Sequence, residues 1–148
     1  MLVEPKIVRK PWGREEWLSD GKRMPYALKL ITFNAGHRSS LQVHKQKKET
    51  NYVLDGTGTL LIGRSVFNID AYLLGTMSGD TLTWHTEDLE VVELRPGSVF
   101  DVLPGHIHRV VAETDLTFVE ASTPELDDVI RLQDDASRGH GRIESEHA

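Results

Sequence analysis

Two segments about sixty residues apart limit what this chain can fold into. Gly36–Gly56 reads GHRSSLQVHKQKKETNYVLDG, and Gly97–His108 reads GSVFDVLPGHIH. The first sets Gln42, His44 and Glu49 in one short run, and the second adds His108. Two imidazoles, a carboxylate and an amide oxygen suit a divalent metal such as zinc, manganese, iron or nickel. Gln42 and His44 stand two apart, so on a strand both point to one face. Glu49 and His108 then have to join them from neighbouring strands, which requires a small β-barrel with a polar interior.

The rest of the chain fits that demand. Short runs rich in Val, Leu, Ile, Phe and Thr predict strands at Ala27–Phe33, Asn51–Leu54, Thr59–Ile62, Glu90–Leu94, Ser98–Val102, His108–Ala112 and Leu116–Ala121. Gly56-Thr57-Gly58, Pro96-Gly97 and Pro104-Gly105 punctuate them as turns. In Ala27–Phe33 both alternating faces are partly apolar, as expected of a strand in a two-sheet barrel. Ser122-Thr123-Pro124-Glu125 resembles a helix start, and Leu126, Val129 and Ile130 follow at one-face helical spacing. Arg64–Asp88 is the least readable stretch and is expected to form an extra hairpin. The predicted class is all-β, a jelly-roll barrel with a short C-terminal helix. Residues 1–26 form an N-terminal arm or strand, 27–132 the barrel with its helix, and 133–148 a polar tail, in one domain overall.

Composition narrows the setting. The 148 residues suffice for one well-filled core. No apolar run approaches 18 residues, and the N-terminus lacks the apolar core of a signal peptide. Cysteine is absent, which removes disulfides and thiolate metal sites and makes a cytoplasmic location the expectation. A net charge of −6 argues against a general nucleic-acid binder. Arg38, Lys45, Lys47 and Lys48 nevertheless surround Glu49, a local basic surplus that favours an anionic ligand. Lys45, Lys47 and Lys48 equally suit a solvated loop.

The spacings of Gly36, Gln42, His44, Glu49 and Gly56 resemble the first cupin motif. Those of Gly97, Leu103, Gly105 and His108 resemble the second. The departures are Gln42 at a position more often His, Leu103 where Pro is usual, Ala112 in place of Asn, and Asn51 at an often aromatic position. Gln42 and the run Arg9-Lys10-Pro11-Trp12-Gly13 make the chain similar to the mannose-6-phosphate isomerases, especially the C-terminal cupin domain of the bifunctional type II enzymes, over residues 5–132. The resemblance implies a cupin double-stranded β-helix with zinc held by Gln42, His44, Glu49 and His108. It also implies an aldose–ketose isomerase acting on a phosphorylated sugar, and a homodimer with neither nucleic acid nor membrane as partner.

Such a reaction needs a group to move a proton between C1 and C2, within hydrogen-bond reach of both. His37, His106, Glu120 and Lys48 all remain candidates. Arg109 and Arg38 are candidates for holding phosphate, because a guanidinium fork matches its oxygens, and Trp12 for stacking on the ligand. Two other functions fit the same frame: a non-catalytic cupin that binds a sugar or sugar nucleotide, and a metal-dependent oxygenase. Gln42 counts against the oxygenase, since such cupins usually use three His and one Glu.

Overall fold

The computed structural model describes residues 1–133 and 141–142. It contains two six-stranded antiparallel sheets. The first runs in the order β1 (Lys6–Lys10), β2 (Gly13–Asp20), β3 (Ala27–Phe33), β10 (Leu116–Ser122), β5 (Glu49–Asp55) and β8 (Val99–Val102). The second runs β12 (Gly141–Arg142), β11 (Ile130–Gln133), β4 (Leu41–Val43), β9 (His108–Ala112), β6 (Gly58–Gly63) and β7 (Leu89–Leu94). The facing surfaces enclose a core of Ile31, Phe33, Val53, Leu60, Leu94, Phe100, Val102, Val110, Leu116 and Phe118. Trp12 lies flat on Phe33, with ring centroids 3.8 Å apart and planes 8° from parallel.

All seven predicted strands are present, with ends shifted by at most two residues. The N-terminal residues add β1 and β2 to the edge of the first sheet. Two expectations are corrected. The stretch expected as a hairpin contains two helices, α1 (Ile69–Leu73) and α2 (Gly79–Glu87). Each is capped at its start: the Asn68 side chain accepts from Ala71 N–H, and the Ser78 side chain from Thr81 N–H. Ile69 and Tyr72 of α1 and Leu82 of α2 pack with Phe67 and the outward residues Leu41, Val43, Ile130 and Leu132 of the second sheet.

The predicted C-terminal helix is absent; that segment is a turn followed by strand β11. The reason is tertiary. The Asp128 carboxylate accepts from the backbone N–H groups of Lys45, Gln46 and Lys47, and its carbonyl accepts from the His44 ring. Ile130 and Arg131 then pair with Val43 and Gln42. These bonds outweigh a helical preference of a few tenths of a kcal/mol per residue. The predicted tail 133–148 lies, apart from Gln133 and Gly141–Arg142, outside the described residues. No described helix is long and apolar enough to cross a membrane.

The turn joining β5 to β6 depends on Gly56. Its φ of +84° is left-handed, and a Cβ there would overlap the Asp115 carbonyl oxygen. Gly97 has a similar φ of +91° but open space around it. Gly97→Ala should therefore cost about 1–2 kcal/mol of backbone strain. Gly56→Ala should cost at least about twice that, read as the shift in urea midpoint at constant m.

Candidate metal centre

The second sheet sets out the site in register. Arg131 on β11 lies opposite Gln42 on β4, and Gln42 lies opposite His108 on β9, so the three form one row across adjacent strands on the cavity face. His44 follows β4 directly, and Glu49 opens β5 on the facing sheet. One ligand atom each from His44, Glu49 and His108 lies within 4.8 Å of the others. His44 Nε2 stands 3.7 Å from Glu49 Oε2.

Hydrogen bonds aim both rings. His44 Nδ1 is 2.6 Å from the Asp128 carbonyl oxygen and His108 Nδ1 is 3.0 Å from that of His106. A carbonyl only accepts, so each Nδ1 carries the proton and each Nε2 turns its lone pair inward. His44 Nε2 is buried with no hydrogen-bond partner among the described residues. Such a buried, inward-facing lone pair is a donor that a divalent cation could use.

Protonation states agree. Burial, reinforced by the charges of His108 and Lys47, pushes the His44 pKa well below 6.5, and burial lowers His108 against the pull of Glu49. Burial alone would raise Glu49, but Lys47 and His108 outweigh it and bring it down to about 2. Two neutral imidazoles and one carboxylate fit a divalent cation. Gln42 now accepts from Ser40 Oγ at 2.8 Å through Oε1, with its Nε2 3.4 Å from His108 Nε2. Rotating the amide by 180° would keep a bond to Ser40 and turn Oε1 toward the cluster.

A chain of buried charges leads away from the cluster along the first sheet. Lys47 Nζ lies 3.1 Å from both Glu49 Oε2 and Glu120 Oε2. Lys29 Nζ bridges Glu120 at 3.9 Å and Glu15 at 3.4 Å, and Trp17 Nε1 donates to Glu15 at 2.9 Å. Burial alone would lower the Lys47 pKa, but Glu120 and Glu49 raise it above the ordinary lysine value. Glu15, Lys29, Lys47, Glu49 and Glu120, with Trp12, Asn51 and Arg131, line a cavity of about 710 Å³ counting its open mouth.

The structure therefore sorts the sequence candidates. Gln42, Glu49, His108, Glu120 and Trp12 line the cavity, and His44 joins the cluster. Lys48 is exposed and outside that lining, whereas Lys47, read equally as part of a basic patch or of a solvated loop, is 4% exposed and inside. Arg109 is buried on the other face of its strand, where its Nε donates to the Ser39 carbonyl. His106 is half-buried with Nδ1 2.9 Å from the Gly63 carbonyl oxygen. Arg38 and His37 are exposed, and neither lines the cavity. Sequence reading missed Lys29, Glu15 and Arg131. For Arg131 the signal was available, since a strand at 130–133 would have turned it toward Gln42.

Two facing antiparallel sheets with a His–Glu–His cluster on their inner faces define a cupin. The chain belongs to the family described as mannose-6-phosphate isomerase C-terminal, which matches residues 3–101. No curated protein sequence matches the chain. Among solved structures, the oxalate decarboxylase of Lactobacillus farciminis, in a formate complex, superposes with a TM-score of 0.62 at 15% identity, over 86% of this chain and 33% of that one. The capsular polysaccharide assembling protein CapF of Staphylococcus aureus gives 0.58 at 16%, over 87% and 34%. KdgF from a Halomonas species gives 0.57 at 17%, over 83% and 91%. The chain spans about a third of the decarboxylase and of CapF, and at these identities the likeness is one of fold.

The lowered histidines set a pH dependence. Below 6.5 an unfolded histidine takes up a proton that the folded ring refuses, so stability falls as pH drops through that range. Glu49, ionised down to about 2 when folded, adds its own loss only below its ordinary value of 4.5. In chelated protein the urea midpoint should therefore decline between pH 7 and about 5.5. His44→Asn should flatten that decline, and added zinc should oppose it.

Proposed function

We propose that this chain is a metal-dependent aldose–ketose isomerase acting on a phosphorylated sugar, as in mannose-6-phosphate isomerases. The observation that carries the reading is the joining of the His44–Glu49–His108 cluster to the Glu120 carboxylate in one open cavity. Membership of the mannose-6-phosphate isomerase C-terminal family supports it. His44, Glu49 and His108, with Gln42 beside them, would hold a divalent cation, which would supply Lewis-acid stabilisation worth several kcal/mol.

The chain's own groups supply the rest. Glu120 takes the proton from C2 of the aldose as the C1–C2 double bond of an enediol forms, and returns it to C1 as C2 becomes the ketone, while the O2 hydroxyl proton passes to O1. Lys47, 3.1 Å from Glu120, holds that carboxylate in place. The wall carries Lys10, Lys29, Lys47 and Arg131 against Glu15, Glu49 and Glu120. With a divalent cation the balance is strongly positive, as an anionic ligand requires. Arg131, in the row of Gln42 and His108, offers a fork for phosphate oxygens. Trp12 provides an aromatic wall.

The test is deuterium wash-in at C2 of a panel of aldose 6-phosphates in D₂O, followed by proton NMR. Zinc- or manganese-dependent exchange is expected, lost by at least about 100-fold in His44→Ala and Glu120→Gln. Arg131→Leu should raise KM about tenfold or more for the phosphorylated sugar while leaving metal content unchanged. Exchange that survives chelation, or none from any sugar with metal bound, would remove the isomerase reading.

A further inference from the structure

One polar side chain of the cavity has no part in the proposed proton transfer. Asn51 stands two residues after Glu49 on β5, so both side chains turn to the cavity face. Asparagine is uncommon in strands and seldom fully buried, yet Asn51 is 1% exposed. Its partners across the strands are Glu120 on β10 and Phe100 on β8. An apolar residue of similar volume would fill the same place with no amide to satisfy.

Only half of that amide is satisfied. Nδ2 donates to Glu49 Oε1 at 3.4 Å. The ionised Glu49 only accepts, so turning the amide over would set oxygen against oxygen. Oδ1 is therefore the end left over, and it is buried with no hydrogen-bond partner among the described residues. Such an acceptor is costly to leave unserved.

The cationic groups of the same wall, Lys29, Lys47 and Arg131, are donors only and suit the oxygens of an anion. Glu49 and Glu120 accept, but Lys47 already engages both. Asn51 Oδ1 is complementary to the remaining feature of a sugar, its hydroxyl protons. A ligand with acceptors only, such as an ionised dicarboxylate, would bring oxygen against oxygen at this point. Because Asn51 adjoins both Glu49 and Glu120, the hydroxyl in its reach lies beside the carbons that Glu120 serves. With the oxygens of C1 and C2 toward the His44–Glu49–His108 cluster, the next hydroxyl along the sugar is that of C3.

We propose that Asn51 is a specificity-determining residue whose Oδ1 accepts a hydrogen bond from the C3 hydroxyl of a sugar phosphate. The choice of ligand rests on the isomerase reading, whereas the contact is one of binding and needs no turnover.

The test uses mannitol 6-phosphate, numbered from the end remote from the phosphate, with its 3-deoxy and 4-deoxy analogues. These hexitols have no carbonyl and cannot isomerise. Each is titrated calorimetrically into zinc-loaded protein. The wild type should bind the 3-deoxy compound about tenfold or more weakly than the parent, and the 4-deoxy compound nearly as well as the parent. In Asn51→Leu, with circular dichroism and zinc content matching the wild type, parent and 3-deoxy compound should bind alike. Asn51→Ala carries the same expectation and serves if the leucine variant does not fold. Equal wild-type affinity for parent and 3-deoxy compound, Oδ1 then being served by water alone, overturns the proposal. So does a loss confined to the 4-deoxy compound, a 3-deoxy penalty that persists in the folded variants, or no measurable binding of any hexitol. Deuterium exchange from aldose 6-phosphates alongside equal hexitol affinities would remove the role of Asn51 and leave the isomerase reading standing. A 3-deoxy penalty that depends on Asn51, without exchange, would do the opposite.

Discussion

Inside the barrel three carboxylates, Glu15, Glu49 and Glu120, stand against two ammonium groups, Lys29 and Lys47, in one continuous chain. Most of what the site can do depends on this arrangement. Each charge out of water costs several kcal/mol after relaxation, and only close opposite neighbours offset it. Within the chain alone one negative charge is left over. A divalent cation at the His44–Glu49–His108 end would reverse that sign, and the proposed preference for an anion rests on that charge balance. Lys47 is central, because it touches both Glu49 of the His–Glu–His cluster and Glu120, the base of the proposed reaction.

The geometry of that chain is a property of sheet register. Trp17, Lys29, Glu120, Asn51 and Phe100 occupy one row across β2, β3, β10, β5 and β8. Every second residue along each strand faces inward, so a single row places Lys29, Glu120 and Asn51 side by side between the rings of Trp17 and Phe100. Neighbouring inward positions, Ile31, Val53 and Phe118, are apolar and nearly or fully buried. The polar layer is thus bounded by packed side chains that hold its members in place and keep bulk water from screening them.

How legible this was in the sequence follows from the same geometry. The cluster could be read because Gln42, His44 and Glu49 are local and His108 ends a recognisable turn. The seven central strands could be read from composition and turn residues. Lys29 could not, because in Ala27–Phe33 both alternating faces look apolar and the pattern does not say which is inside. The choice between Lys47 and Lys48 was equally closed to local reading. It is made by Asp128, some eighty residues away, whose carboxylate fixes the loop from Lys45 to Lys47. The same residue defeats the predicted helix, so one long-range clamp accounts for two misreadings.

The outer face of the first sheet and the charge chain inside it are built from the same strands in alternation. Glu16 lies between Glu15 and Trp17, Leu30 between Lys29 and Ile31, Tyr52 between Asn51 and Val53, and Val119 between Phe118 and Glu120. The ladder that sets the register of the outer row also sets that of the inner one. A slip of one residue would bury Leu30 and Val119 and expel Lys29 and Glu120. An apolar outer face therefore opposes no slip by itself, and the inward register is held by the ion pairs and by the stacked Trp12 and Phe33. The charges that equip the site are in this sense also what determines which way the sheet faces.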